Sequence, residues 1–291
     1  MPTDSAWSST FGPEMGRHRD VVAALVQLCA DNRAVSSFSA GCSIGRGAGD
    51  VLSDIDAAVG VSTVRGSAGA ADVQDVEAWL LEALPALGDV VDVLCTGSDC
   101  ADFVIRRVFV QFTDRLQLDL AVIAEDEVRR GEAAAPDFVP VYWSEGALNS
   151  TAGRSAREVS PEQIREWAFL GWRALLDADK YLRRGSVWEA HQRVHEARER
   201  IWMLWAASRG AAYPWHGLSQ VLDDSPDLLP PSIETTVAGL DANDLRRAVV
   251  AATLVLANTS AAAATAWDAR LPSALADFTQ QTLKDWPSSV V

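Results

Sequence analysis

A glycine-rich turn between two short strands constrains the fold of this chain more than any other feature. Residues 35–40 have the composition of a strand, and the nine residues that follow contain four glycines and a serine. Residues 54–61 then alternate, with apolar side chains such as Ile55 and Val59 on one face and acidic or small ones on the other. The segment predicts a strand, a turn whose backbone can approach a ligand closely, and a half-buried second strand.

The two halves of the 291-residue chain differ in charge and in tryptophan content. Residues 1–150 hold 10 Lys/Arg and 23 Asp/Glu, a net charge of −13, whereas residues 151–291 hold 15 and 17, a net charge of −2. Eight of the eleven tryptophans lie in the second half. This difference predicts two domains, 1–150 and 151–291, joined by a Ser-, Thr- and Gly-containing linker at 149–153.

The first domain has the pattern of a mixed α and β fold. Hydrophobic periodicity predicts helices at 15–30 and 71–84 and strands at 35–40, 54–61, 90–94, 104–112 and 116–124. The last two strands are expected to form a hairpin that turns at Thr113 and Asp114.

The second domain has the pattern of helices alone. Its first helix begins with Ser160-Pro161-Glu162-Gln163, in which the serine can cap the helix and the proline fits the first turn. Helices are predicted at about 160–184, 186–208, 217–222, 232–240, 241–266 and 273–284. Short connections favour an up-and-down bundle. The predicted fold class is therefore α+β, a mixed-sheet domain followed by an all-α helical bundle.

The composition argues against several classes of protein. A formal net charge of −15 is unlike that of a nucleic-acid-binding surface, which usually carries an excess of basic residues. No apolar run of about 18 residues is free of charged or polar interruptions, so no membrane span is expected. The first residues lack the basic and apolar pattern of a secretory leader, and the four cysteines lack a CxxC pair. The expected location is the cytoplasm.

The glycine-rich turn and the acids after it have the chemistry of a nucleotide site. Backbone N–H groups exposed by the glycines, together with the Ser43 hydroxyl, can hold phosphate oxygens. Asp54 and Asp56 stand two residues apart on a strand, so both side chains leave the same face. Two carboxylates beside phosphates are typical ligands of Mg²⁺. Arg46 either contacts phosphate or pairs with Asp50.

A third acid, Asp119, interrupts an otherwise apolar strand. A buried aspartate requires a partner, a metal or protonation. If its strand lies beside that of Asp54 and Asp56, three carboxylates converge. Their repulsion then predicts divalent cations, and two ions about 4 Å apart are the arrangement used in phosphoryl transfer. An isolated Asp-x-Asp is more often a solvated strand end, and Asp119 alone could belong to a β-bulge or a sheet edge. The ordered combination of these elements favours the site.

The order of these residues resembles the nucleotidyltransferase signature of the DNA polymerase beta-like superfamily. The resemblance is closest to the antibiotic nucleotidyltransferases, notably the aminoglycoside adenylyltransferases, in which a helical bundle also follows the catalytic domain. This chain supplies, in the order of their motif, Ser43, Gly45, Arg46, Gly47, Asp50, Ser53, Asp54 and Asp56. One position departs from the family pattern, because Cys42 stands where a glycine is usual. The motif resemblance spans about residues 35–124.

The resemblance implies a Mg²⁺-dependent adenylyltransferase that moves AMP from ATP to a hydroxyl of a small molecule. The acceptor it implies is an aminoglycoside, so that antibiotic resistance would be either the biological role or a side activity. It implies that Asp54, Asp56 and Asp119 are the catalytic and metal-binding residues of a site with two Mg²⁺ ions. In that site Asp119 either completes the metal site or accepts the proton of the attacking hydroxyl. The acidic first domain would attract a cationic acceptor.

The resemblance also implies a set of residues that bind the nucleotide. They are Gly41, Cys42, Ser43, Arg46, Gly47 and, in the helical domain, Lys180. Lys180 lies near the end of its predicted helix, where a positive charge also stabilises the helix dipole without any ligand.

Two other functions are compatible with the same residues. One is AMP transfer to a protein hydroxyl, as in antitoxin-type minimal nucleotidyltransferases, which are usually shorter and lack a bundle of this size. The other is a nucleotide-binding sensor without catalysis, against which the presence of all three acids argues. The chain is expected to be a monomer or a homodimer, with no nucleic-acid or membrane partner.

The predicted helix at 186–208 carries an amphipathic stripe beside its apolar one. The stripe consists of Trp188, His191, His195, Arg198, Trp202 and Trp205. It could line a cleft, although tryptophans more often pack in a bundle core. The two histidines, four residues apart, could bind a metal. Without a third ligand nearby, however, hydrogen-bonded interface histidines are favoured.

Overall fold

The chain divides into two compact units, Met1–Ser155 and Ala156–Val291. The structure, a computed structural model, describes residues 7, 11–62, 70–100, 103–124, 138–144, 159–224 and 227–284. The first unit contains a six-stranded mixed sheet and the second is helical, so the predicted α+β class is confirmed. The predicted linker at 149–153 lies outside the described residues.

The first unit is built on its sheet, with helices between the strands. In chain order its elements are α1 (Gly16–Asp31), β1 (Val35–Ala40), α2 (Cys42–Arg46), β2 (Ile55–Val61), α3 (Ala70–Ala83), a 3-10 turn (Leu84–Ala86), β3 (Val90–Cys100), β4 (Phe103–Phe112), β5 (Gln117–Ala124) and β6 (Val139–Trp143). The strand order is β3-β4-β5-β2-β1-β6. Among the described strands, β2 and β5 form the one parallel pair.

The predicted strands agree with the structure to within one residue at each end, except for the end of β3, and β6 is an additional strand. β3 continues to Cys100, well past the predicted end at residue 94. β6 was not predicted, because it is short and contains Pro140, and it lies at the sheet edge, where proline is tolerated. Asp54 immediately precedes β2, which begins at Ile55.

One face of the sheet is buried under α1 and α3. Ile55 on β2 and Leu120 on β5 are 0% exposed, and they share one apolar core with Leu25 of α1 and with residues of α3. Because side chains alternate along a strand, Asp56 and Asp119 lie on the opposite face. We call this opposite side of β2 and β5, with the neighbouring side chains of β3 and β4, the acidic face.

The predicted hairpin between β4 and β5 is confirmed. The two strands pair antiparallel, with residues 105–111 against 117–123. In the turn, Arg115 has a φ of 76°, and the Asp114 carboxylate accepts a hydrogen bond from the Leu116 N–H at 3.1 Å. This side-chain contact stabilises the turn that sets the register of β5 against β4.

The second unit consists of helices and 3-10 turns. The helices are α4 (Pro161–Arg183), α5 (Val187–Ser208), α6 (Gly217–Asp224), α7 (Ala242–Trp267) and α8 (Ser273–Lys284), with 3-10 turns at Pro214–His216 and Ile233–Thr236. The predicted cap of the first helix is confirmed, because Ser160 Oγ accepts a hydrogen bond from the Gln163 N–H at 3.1 Å. Asp241 caps α7 in the same way, accepting from Asn243 and Asp244 at 2.9 Å.

The predicted helix at 232–240 is wrong. The 3-10 turn Ile233–Thr236 forms there instead of a longer helix. Ser232 before it adopts a left-handed conformation with a φ of 65°, and Val237 after it is extended with a ψ of 134°. Neither conformation can be continued as an α-helix, so one turn is all that forms.

Helix α7 is long and apolar enough to cross a membrane by its length and composition, although the sequence led us to expect no span. Among the described helices it is the one that meets this test, and half of its apolar window is buried inside the structure. Residues such as Leu245, Val249 and Leu256 belong to the apolar core of the second unit.

Candidate active site

The pairing of β2 with β5 places two acids side by side on the acidic face. The strands run parallel, and Asp56 is the register partner of Asp119. Paired residues of neighbouring strands point their side chains to the same face of a sheet. Two carboxylates that are 63 positions apart in the sequence, 56 and 119, are therefore brought together by the fold.

Asp54 joins Asp119 in the wall of one cavity. This cavity has a volume of about 350 Å³, and its polar lining consists of Asp54, Asp92, Gln111, Gln117 and Asp119. Leu94 and Phe109 supply apolar walls. An open, acidic cavity of this size can accept part of a small molecule.

The carboxyl group of Asp119 lies between a positive and a negative neighbour. Its side chain is 23% exposed, and Arg107 Nη1 donates a hydrogen bond to its Oδ2 at 3.3 Å. Burial raises the pKa of the Asp119 carboxyl above its ordinary value, Arg107 lowers it, and the Asp54 carboxylate raises it. The net effect is a raised pKa, because burial and the neighbouring Asp54 carboxylate together outweigh Arg107.

The three predicted metal ligands are brought near one another, but not into a closed cluster. Within the part of the chain that the structure describes, no three His, Cys, Asp or Glu side chains are grouped as a metal site. Asp119 pairs with Arg107 instead. The donor set nevertheless suits a hard divalent cation, because Asp54, Asp56 and Asp119 offer carboxylate oxygens, which Mg²⁺ prefers.

The glycine-rich turn is attached directly to the acidic strand. The Gly41 N–H donates a hydrogen bond to the Asp56 carbonyl at 2.8 Å. Gly41 is also the N-cap of α2, a single short helix that contains Ser43 and Arg46 and ends at Gly47, whose φ of 75° is left-handed. The sequence predicted a loop here, and the structure has one helical turn that presents its N-terminal end next to β2.

Cys42 has the most unusual backbone of this turn, with a φ of 50°. An L-residue with a side chain is strained in this region, by about 1–2 kcal/mol, whereas glycine is not. This is the position at which the chain departs from the resembled family's glycine. The backbone conformation at this position thus favours glycine, which is also the residue of the family pattern.

We expect Cys42→Gly to raise the free energy of unfolding by about 0.5–1 kcal/mol, because it removes this strain at some cost in unfolded-state entropy. Chemical denaturation measures the change. The matched control is Ser43→Gly, one residue along the same helix and without a positive φ, which should lower stability. A Cys42→Gly variant less stable than the natural chain would contradict the expectation.

A loop with its own hydrogen bonds carries the chain from the turn to Asp54. Asp50 Oδ1 accepts from the Leu52 N–H at 2.8 Å, and Ser53 Oγ accepts from the Asp50 N–H at 3.0 Å. His18 of α1, which is 4% exposed, donates through Nε2 to the Ser53 carbonyl at 2.8 Å. The residue before Asp54 is thus fixed from two sides.

Two residues of this region were not found from the sequence. His18 lies in a helix and shows no motif, so no sequence signal could have assigned it. Asp92 does carry a signal, since it interrupts the apolar run Val90-Val91-Asp92-Val93-Leu94 just as Asp119 interrupts its strand. It lies on β3 and lines the cavity with Asp54 and Asp119.

Lys180 lies in the second unit, near the end of α4. It pairs with Asp177 and lies over the Tyr181 ring, 4.8 Å from the ring centroid. Arg184 and Arg193 also contact this ring, at 5.8 and 5.9 Å. Lys180 is therefore part of a positively charged group around one tyrosine.

The amphipathic stripe of α5 is divided between exposed and cavity-lining residues. Trp188 is exposed, and His195 is paired with Glu199 at 3.6 Å. His195, Arg198 and Trp202 line a cavity of about 700 Å³ within the second unit. No third metal-ligating side chain is grouped with the histidines among the described residues.

Comparisons with known proteins add a weak structural similarity. No protein-family model matches this chain, and no curated protein sequence matches it significantly. It is similar to the solved structure of an aminoglycoside 6-adenyltransferase from Bacillus subtilis, with 11% identity and a TM-score of 0.40 over 94% of this chain and 98% of that one. It is also similar to a nucleotidyltransferase-like protein from Exiguobacterium sibiricum, with 13% identity and a TM-score of 0.37 over 86% of this chain and 78% of that one.

Proposed function

We propose that this chain is a nucleotidyltransferase that moves AMP from ATP to a hydroxyl of a cationic small molecule, such as an aminoglycoside. The observation that carries the proposal is the parallel pairing of β2 with β5, which sets Asp56 beside Asp119. The glycine-rich turn is bonded to the same strand through the Gly41 N–H and the Asp56 carbonyl. The glycine-rich turn and an acidic pair are thus adjacent, which supports the proposal that the turn binds phosphate next to the acids.

The turn would hold the phosphates of the nucleotide. In the proposal Gly41 and Gly47, whose N–H groups donate to the carbonyls of Asp56 and Ile44, let the backbone come close to the phosphates. The N–H groups of Cys42 and Ser43, the Ser43 hydroxyl and the Arg46 guanidinium would bind the phosphate oxygens. Lys180, which the resemblance implies as a further nucleotide-binding residue, belongs to the second unit and lies beside the guanidinium groups of Arg184 and Arg193.

Asp54, Asp56 and Asp119 would hold Mg²⁺, with two ions in the proposed arrangement. When bound, the metal neutralises negative charge that develops on the phosphate oxygens. Asp119 would then exchange its pairing with Arg107 for the cation. The raised pKa of its carboxyl also suits the other proposed role, in which Asp119 takes the proton of the attacking hydroxyl.

In the proposed reaction one bond to the α-phosphorus forms as another breaks, and a group on the acidic face can take the proton that is released. The acceptor oxygen forms a bond to the α-phosphorus while the bond to the bridging oxygen breaks, and pyrophosphate leaves. The hydroxyl proton passes to Asp119 or to solvent. Donors of the turn hold the oxygens that gain charge, which is the effect that usually contributes most to such catalysis.

The acids of the cavity favour a cationic acceptor. Asp54 and Asp92 both line it, and the first half of the chain has a net charge of −13. An acidic cleft concentrates cations and raises their encounter rate. Ammonium groups of an aminoglycoside would be attracted in this way.

We expect Asp92→Asn to raise the KM of an amine-rich acceptor about three- to tenfold with little change in kcat, because it removes one charged contact at the cavity wall. Steady-state kinetics with varied acceptor measures both constants. Asp75→Asn is the matched control, since it removes the same charge from the exposed surface of α3. Equal effects of the two variants would show that only overall charge matters.

The proposal is tested by pyrophosphate release from each of the four nucleoside triphosphates, with Mg²⁺ and a panel of aminoglycosides. We expect release that requires both ATP and an acceptor. Nucleotide binding without release across a broad panel of small-molecule and protein acceptors would instead identify a sensor, and release only with a protein acceptor would identify a protein AMP-transferase. Expression in susceptible bacteria would then test whether the activity gives resistance.

A further inference from the structure

The largest of the described cavities belongs to the second unit and has no part in the proposed reaction. Its volume is about 700 Å³, which is within the range of sites for small organic molecules. One wall is α5, and the others are the start of α6 and the 3-10 turns on either side of it. The apolar lining includes Trp202, Met203, Trp215, Ile233 and Val237.

Arg198 brings a positive charge into this apolar lining. Its side chain is half-buried, and its Nε is buried without a hydrogen-bond partner. Among the residues that the structure describes, its guanidinium has no ion-pair partner. Desolvation by burial lowers the pKa of Arg198, with no neighbouring acid to raise it.

Of the other two arginines of the same helix, Arg193 has a charged partner and Arg200 contacts a sulfur atom. Arg193 pairs with Glu196 at 2.6 Å, and Arg200 Nη1 contacts Met203 Sδ at 3.2 Å. A half-buried guanidinium without a counter-charge is unfavourable. Arg198 is the one of these three arginines that lines the cavity, and a bound anion there would supply its counter-charge.

The acids near the cavity do not supply that counter-charge. Glu199 is paired with His195, and both side chains are more than half exposed. Glu234 lies on the exposed surface of its 3-10 turn. Both acids are exposed to solvent, whereas Arg198 Nε is buried.

We propose that this cavity binds a small organic carboxylate with a flat, apolar body. The carboxylate would accept hydrogen bonds from the planar guanidinium of Arg198, a geometry that suits both groups. The apolar body would contact Trp202 and Trp215, and its size would match the volume of the cavity. The inference uses residues of the second unit alone and does not depend on the proposed function.

Two probes with the same ring and opposite charges test the proposal on the full chain. Indole-3-acetate carries a carboxylate and tryptamine an ammonium group, and calorimetry or ligand-observed NMR measures their binding. We expect indole-3-acetate to bind at least tenfold more tightly than tryptamine. Arg198→Gln should weaken indole-3-acetate at least tenfold and remove the preference. Arg173→Gln, at a 67% exposed arginine of α4, should change neither.

Three results would overturn the proposal: equal binding of the two probes, undiminished binding to Arg198→Gln, or displacement of indole-3-acetate by saturating Mg·ATP. The last would assign the cavity to the nucleotide instead of a separate ligand. If circular dichroism shows that Arg198→Gln does not fold, Arg198→Lys replaces it. This variant keeps the charge but not the planar donor pair, so it should bind indole-3-acetate more weakly and still prefer it to tryptamine.

Discussion

Asp56→Asn is expected to lower the rate of nucleotidyl transfer at least a thousandfold, about 4 kcal/mol of transition-state stabilisation, while the sheet stays folded. The side chain of Asp56 is half-buried on the acidic face, and its neighbour across the strand pair is Asp119. An amide cannot supply the negative charge that the proposed metal site needs. The backbone carbonyl that accepts from Gly41 is unchanged by the substitution.

Pyrophosphate release at saturating ATP and acceptor measures this effect, and a thermal melt checks the fold. Asp20→Asn is a suitable control. Asp20 is exposed on α1, so this substitution removes the same charge at a position away from the acidic face. The control should keep near-normal activity. A loss of less than tenfold in Asp56→Asn would remove Asp56 from the catalytic residues.

The second large effect is the loss of stability expected when the apolar core beneath Asp56 and Asp119 is disrupted. Leu120 follows Asp119 on β5 and is 0% exposed in the core under the sheet. Leu120→Ala should lower the free energy of unfolding of the first unit by about 2–5 kcal/mol, through lost burial and the cavity left behind. Leu52→Ala, at a residue that is 89% exposed, should change it by about 0.5 kcal/mol or less.

Hydrogen exchange read on peptides that cover β4 and β5 measures the loss in the first unit without interference from the helical unit. Faster exchange is expected there for Leu120→Ala and normal exchange for Leu52→Ala. Equal protection in both variants would mean that β5 is not anchored by this core, and Asp119 would then lack the rigid support that the proposed site requires.

The strands nearest the site could be predicted because their local patterns are strong. The strand predicted at 54–61 appears as β2 from Ile55, and the hairpin predicted to turn at Thr113 and Asp114 joins β4 to β5. The edge strand β6 could not be found, since five residues with a proline in second place give little periodicity. The predicted helix at 232–240 failed because left-handed Ser232 is set by backbone conformation that hydrophobic periodicity does not report.

The site was only partly predictable, because contacts between side chains depend on how the strands pair. Residue types suggested that Asp54, Asp56 and Asp119 act together, but side-chain direction depends on neighbours from other strands. Phe109 is the register partner of Asp119, so Arg107, two residues away on β4, lies diagonally across from the acid and pairs with it. The predicted hairpin placed β4 beside β5, but it did not give the register that brings Arg107 to Asp119.

The most direct test of the account is mass spectrometry of an aminoglycoside after incubation with the natural chain, Mg²⁺ and ATP, in parallel with Asp56→Asn. The account predicts that the acceptor gains one adenylyl group in the first sample and none in the second. An adduct formed equally by both proteins, or no adduct with any nucleotide and acceptor tried, would contradict the assignment of Asp56 and Asp119 as the centre of a nucleotidyl-transfer site.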